Sequence, residues 1–232
     1  MCLLSENYIF NTAIHTRAVY FNRKEGSFTM VDKNENPHVT EYDHVALLLI
    51  DVVNDLEFED GEKLLRHARP MAERTASLKK RAKQLNIPVL YVNDNYGRWQ
   101  SDFQTLVNHC LTENVRGKEI TELLIPEEDD YFVLKPQFSA FFNTPLDLLL
   151  EYLNVKSLII SGLAGNMCVH FTANDAYMRG YKLYIPSDCV ASNHEEDNRE
   201  ALNLMEHVLN AETTRSDKMD LEAIKYYWRD QA

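Results

Sequence analysis

Three side chains with complementary chemistry stand where apolar runs stop. Asp51 follows the five apolar residues 46–50, Lys135 follows Phe132, Val133 and Leu134 and precedes Pro136, and Cys168 closes the run SGLAGNMC that begins at Ser161. A thiol is a nucleophile as its thiolate, an ammonium stabilises that thiolate, and a carboxylate can take the thiol proton. Singly, each has an ordinary reading: Asp51 as a helix cap or turn residue, Lys135 as a solvated strand terminator, Cys168 as a small buried hydrophobe. Together they need a common explanation, because each falls at the carboxyl end of a different predicted strand. An open parallel sheet places its ligand crevice there. Gly162 and Gly165 permit a tight loop that delivers Cys168 to the start of the next helix. At that place unsatisfied backbone N–H groups favour a thiolate and can hold an oxyanion, so the thiol pKa is expected to be lowered.

The elements that must position these residues are legible as alternating blocks. HVALLLID (44–51), IPVLYVND (87–94) and KSLIISG (156–162) are short, continuous and aliphatic, the pattern of strands buried on both faces. Weaker strand candidates lie at 131–135, 181–188 and 210–214. Helical periodicity fills 63–86, 145–154, 167–180 and 195–210, with Gly180 as a carboxyl-terminal stop and Asn86 and Pro88 marking a helix-to-strand junction. Strand alternating with helix predicts an α/β fold on a parallel sheet, since parallel strands need crossovers. Residues 1–40 lack this rhythm and read as an amino-terminal extension, packed on the domain or used between subunits; residues 41–232 read as the domain itself.

Bulk properties bound the function. The chain has 232 residues, 45% of them hydrophobic, enough for one full core. Its net charge of -12 excludes a polyanionic partner such as nucleic acid, which needs clustered Lys and Arg. No run of about eighteen apolar residues could span a bilayer, and no charged-then-apolar leader opens the chain. The expectation is a soluble, cytoplasmic protein without a membrane partner. Its four cysteines lack zinc-site or redox spacing and are expected to be free thiols.

The anchors LLLID ending at Asp51, KPQFSAFFNT (135–144), SGLAGNMCV (161–169), TANDAYMRGY (172–181) and PSDCVAS (186–192) resemble the isochorismatase-like cysteine hydrolases, whose members include nicotinamidases and N-carbamoyl amidohydrolases. The resemblance covers roughly 44–214. It implies a three-layer α/β/α fold on a six-stranded parallel sheet of order 3-2-1-4-5-6 and a triad at Asp51, Lys135 and Cys168. It further implies a cis peptide at Leu163–Ala164, an oxyanion hole from the backbone N–H groups of Ala164 and Cys168, and a homodimer or larger homo-oligomer. The implied reaction is hydrolysis of a small molecule at an amide or carbamoyl C–N bond through a thioester.

Two departures sharpen this expectation. Nicotinamidases carry an Asp-x-His metal motif after the second strand, whereas this chain reads Asp94, Asn95, Tyr96, so no metal and no cofactor are expected. Gly165 and Asn166 stand where many relatives have Thr and an acidic residue, which removes one supporting hydroxyl. Asn93, Tyr96, Trp99 and Phe141 are the expected substrate contacts; Asp94 is a weaker polar candidate, and Phe138 and Phe142 read equally as packing. His170, two residues past the cysteine, reads as structural. Two other readings stay open: vinyl-ether hydrolysis of the isochorismate type, which needs no thiol, and a non-catalytic assembly protein that keeps the fold.

Overall fold

The computed structural model describes the backbone of residues 7–10, 17–22 and 27–32, and residues 44–97 and 102–229 in full. The chain divides into two compact units, Met1–Glu41 and Tyr42–Ala232. In the first, β1 (Asn7–Phe10), β2 (Arg17–Asn22) and β3 (Ser27–Asp32) form an antiparallel meander in which Phe10 pairs with Val19 and Tyr20 with Thr29. Residues 1–40, read as an extension without the α/β rhythm, contain these three strands. Antiparallel neighbours need only short links and alternating residues, a weaker sequence signal than the continuous aliphatic runs of a buried parallel sheet.

The second unit is built on the parallel strands β4 (Val45–Ile50), β5 (Val89–Asp94), β6 (Tyr131–Lys135), β7 (Ser157–Leu163), β8 (Lys182–Tyr184) and β9 (Val190–Ala191). The sheet runs β6-β5-β4-β7-β8, with β9 on β7. The α/β class, six parallel strands and the order of the first five are as expected. The sixth strand differs. β8 pairs with the first half of β7 and β9 with its last two residues, Gly162 and Leu163, because Pro186 interrupts the ladder between them. The predicted strand at 210–214 contributes one bridge, Tyr184 to Glu212, beyond β8.

Helices α1 (Gly61–Gln84), α2 (Phe103–Thr112), α3 (Lys118–Leu123), α4 (Leu146–Tyr152), α5 (His170–Met178), α6 (Glu195–Leu209) and α7 (Leu221–Tyr226) complete the unit. α1, α4, α5 and α6 fall where periodicity places them; α2, α3 and α7 lie outside the predicted helical segments. Every residue of β4 is fully buried, which is why that run is aliphatic without alternation. Val45, Leu47 and Leu49 join Tyr91 and the α1 residues Leu64, Ala68, Met71 and Leu78 in one cluster, while Ala46, Leu48 and Ile50 point to the other face.

Two glycines illustrate what the sheet demands near its carboxyl edge. At Gly162 φ is +128°, and a Cβ would lie well inside van der Waals contact of the Ile50 carbonyl. Gly180, at φ +83°, faces open space. Gly162→Ala is therefore expected to cost about 3 kcal/mol or more, since strain and collision add, whereas Gly180→Ala should cost about 1 kcal/mol. Urea unfolding of the two variants checks this; equal, small losses would contradict the close approach of β7 to β4.

Candidate active site

Strand order dictates which side chains can meet. β4, β5 and β6 lie side by side at about 4.8 Å spacing, so the end of β6 is roughly 10 Å from the end of β4. A lysine is long enough to span most of that gap with a charge at its tip. Lys135, the last residue of β6, is wholly buried, and its Nζ lies 2.9 Å from Asp51 Oδ2, 3.6 Å from Asp94 Oδ2 and 3.4 Å from Cys168 Sγ. Asp51 and Cys168 also act on each other's ionisation, which makes the three groups one unit.

Each corner is fixed by backbone. Asp51 leaves β4 in a left-handed conformation, φ +51°, which Asp tolerates better than most residues. Its N–H still donates to Val92 O at 2.9 Å, and its Oδ1 accepts from Asp94 N–H at 2.7 Å. Lys135 pairs with Asp94 in the ladder and accepts from Asn95 N–H at 3.0 Å. Past the lysine, the chain is tied to the cysteine helix: Ser139 Oγ donates to Asp175, and Ala140 N–H donates to Thr172 Oγ1 at 3.0 Å. Cys168 sits in a π-helical turn, Gly165–Val169, closed by Val169 N–H on Ala164 O at 3.2 Å. Such wide turns are frequent at functional sites.

The expected cis bond at Leu163–Ala164 is corrected: among the described residues every peptide bond is trans. Gly162 supplies the reversal with its positive φ, and Ala164 is extended at φ -84°, ψ 145°.

Charge is distributed in a definite way. Burial works to lower the Lys135 pKa, but Asp51, Cys168 and Asp94 raise it further, so it remains an ammonium above its ordinary value. Burial lifts the Asp51 carboxyl above its ordinary value against the pull of Lys135. The Cys168 thiol is pushed up to about 12 by burial and then by the Asp51 charge, with Lys135 opposing. The lowered thiol pKa expected from a helix terminus is therefore corrected: a touching carboxylate and desolvation outweigh a backbone dipole. Burial and charge thus favour an ammonium at Lys135 and a proton kept on sulfur.

The other expected contacts separate. Asn93 is fully buried; its Nδ2 donates to Val53 O at 2.7 Å and so braces the loop after β4, while its Oδ1 has no partner among the described residues. Asp94 is the polar group that reaches the site. Phe141 is 3% exposed, stacked on Tyr181 and covered by the Arg179 guanidinium at 4.5 Å, so it is core, whereas Phe138 is 44% exposed and stacks on Phe171. Tyr96 is also 44% exposed; its N–H donates to Asp94 Oδ1 at 2.6 Å, and burial followed by Asp51 and Asp55 raises its phenol pKa. Trp99 lies outside the described residues. Burial lowers the His170 pKa, and its Nδ1 has no partner among the described residues.

The sequence reading missed Ser192 and Asn198. Ser192 Oγ accepts from Asn166 N–H at 3.2 Å and donates to Asn198 Oδ1 at 3.0 Å, while Asn198 Nδ2 donates to Val190 O at 3.1 Å.

Residues 45–217 match the isochorismatase domain model, and the chain belongs to the isochorismatase family of hydrolases. It is 47% identical over 174 residues to the uncharacterized isochorismatase family protein YaaI of Bacillus subtilis, covering 75% of this chain and 95% of that one. The nicotinamidase SaPncA from Staphylococcus aureus superposes with a TM-score of 0.59 at 25% identity, covering 75% of this chain and 99% of its own. The N-carbamoylsarcosine amidase from Thermoplasma acidophilum shares the fold, with a TM-score of 0.59 at 23% identity over 76% of this chain and 98% of its own. Among the described residues no helix is long and apolar enough to cross a membrane.

Removing the Asp51 charge should free the thiol to ionise against Lys135 alone. In Asp51→Asn, alkylation of Cys168 by iodoacetamide at pH 8 is expected to accelerate about tenfold for each unit by which the thiol pKa falls. Mass-resolved labelling rates check it; an unchanged or slower rate would show that Asp51 does not hold the proton on sulfur.

Proposed function

We propose that the chain is a cysteine hydrolase that cleaves an amide or carbamoyl C–N bond of a small molecule. The observation that carries this reading is the buried ammonium of Lys135 in contact with both Asp51 Oδ2 and Cys168 Sγ. Asp51 takes the thiol proton as sulfur attacks the carbonyl carbon, and Lys135 stabilises the charge that passes to sulfur. A carboxyl with a raised pKa is a better match for a reluctant thiol than an ordinary one. The backbone N–H groups of Ala164 and Cys168 receive the oxyanion. Asp51 then protonates the departing amine nitrogen, the C–N bond breaks, and a thioester remains. Water, deprotonated by Asp51, adds to the thioester; the acid is released and the proton returns to sulfur.

Metal assistance is not part of this reading. At the position where nicotinamidases bind metal, Asp94 is engaged by Lys135 and by Tyr96 N–H at 2.6 Å, and a phenol stands in place of the imidazole. Those residues do not fit a metal ion. Tyr96 and Asp94 are the substrate-facing groups we assign, with the leaving nitrogen on their side.

The test is a panel of small amides, carbamates and N-carbamoyl compounds assayed with wild type and Cys168→Ala. Turnover of a panel member is expected to fall at least about a thousandfold in the variant, the scale of losing a nucleophile. Equal turnover would refute the nucleophile, and isochorismate cleavage that survives Cys168→Ala would favour the vinyl-ether reaction. The pH profile of kcat/KM carries a sign as well. Asp51 must be ionised to act as base, so activity should rise with pH through a midpoint above 3.8, the ordinary carboxyl value. A midpoint at or below it would mean that the base is another group.

A further inference from the structure

We propose that Ser192 and Asn198 are positioning residues for the nucleophile, a polar bracket that sets where Cys168 points by clamping the two residues at the start of its turn. The proposal rests on Cys168 as the nucleophile and extends it to groups that touch neither thiol nor substrate.

The bracket joins three elements that sequence separates. Ser192 follows β9, Asn198 lies in the first turn of α6, and Gly165 and Asn166 begin the cysteine turn. The Ser192 hydroxyl is 1% exposed and uses both its capacities, accepting from Asn166 N–H and donating to Asn198 Oδ1. That donation fixes the orientation of the Asn198 amide, whose Nδ2 then holds Val190 O of β9. Gly165 nests against the same atoms: a Cβ there would collide with Asn198 Oδ1 and crowd Val190 and Ser192 Oγ. Contact and hydrogen bonding together leave the turn one position. Asn166 is two residues before Cys168, so a rotation at the clamp is carried directly to the 3.4 Å contact between Sγ and Lys135 Nζ.

The geometry has room for a test without collapse. Ser192→Ala is almost isosteric, and Asn198 borders a surface cavity of about 380 Å³, so truncating it opens no sealed void. A loosened turn takes Sγ away from the charged groups facing it, Asp51, Lys135 and Asp94, and into water.

The experiment measures the iodoacetamide rate at Cys168 against pH in wild type, Ser192→Ala and Asn198→Ala, with buried Cys110 and Cys189 as internal controls. In both variants the alkaline midpoint of Cys168 is expected to move down by about one unit toward the ordinary thiol value, and labelling at pH 8 to rise about tenfold. Cys110 and Cys189 should stay protected. Turnover of any active panel substrate should fall at least about tenfold in kcat with KM little changed, because binding groups stay in place. A Cys168 profile within twofold of wild type in both variants would overturn the proposal. So would parallel exposure of all three thiols, which reports general loosening. The labelling profile needs no substrate, so it fails or succeeds separately from the hydrolase reading, which Cys168→Ala decides.

Discussion

One buried ammonium organises the carboxyl edge of this sheet. Lys135 has no access to solvent, and an unpaired ion there would cost several kcal/mol. The cost is offset by two carboxylates and a thiol arranged around one nitrogen. Each comes from a different strand end, so the strands must keep their order and register for the lysine to stay charged. Removal of Asp51 or Lys135 alone leaves its partner buried with one opposite charge fewer.

That arrangement explains why the surrounding chain is so constrained. The left-handed Asp51, the close approach of Gly162 to Ile50, the Ser139 and Thr172 ties to α5 and the Ser192–Asn198 bracket all fix backbone within one turn of a charged or reacting group. A charged site gains from preorganisation because its dipoles need not rearrange when charge moves. In the proposed reaction charge moves over contacts of about 3 Å, and small displacements of the cysteine turn would change them in proportion.

The fold and the triad were legible because both follow from local rules: continuous aliphatic runs mark buried parallel strands, and ligand-facing residues sit just past their ends. Other features depend on relations between distant segments. The ionisation of Cys168 is set first by burial and then by Asp51, over a hundred residues earlier, so its place in a helix could not reveal it. Which ring of Phe138, Phe141 and Phe142 is buried depends on an irregular turn with no period to read. The inward direction of Asn93 was available in principle, since it shares the face of Tyr91 two residues earlier, against α1. Ser192 and Asn198 left no signal beyond polar residues near a helix start, the ordinary place for caps.

The central claim is that the resting site pairs Lys135 with Asp51 and keeps the proton on sulfur. The direct measurement is a pH titration of thiolate ultraviolet absorbance in wild type minus Cys168→Ser. No thiolate from Cys168 is expected at neutral pH, only in the alkaline range, above the ordinary thiol value of 9.0. A full thiolate signal at neutral pH would contradict it, because the resting pair would then be Cys168 with Lys135 and Asp51 would already hold the proton.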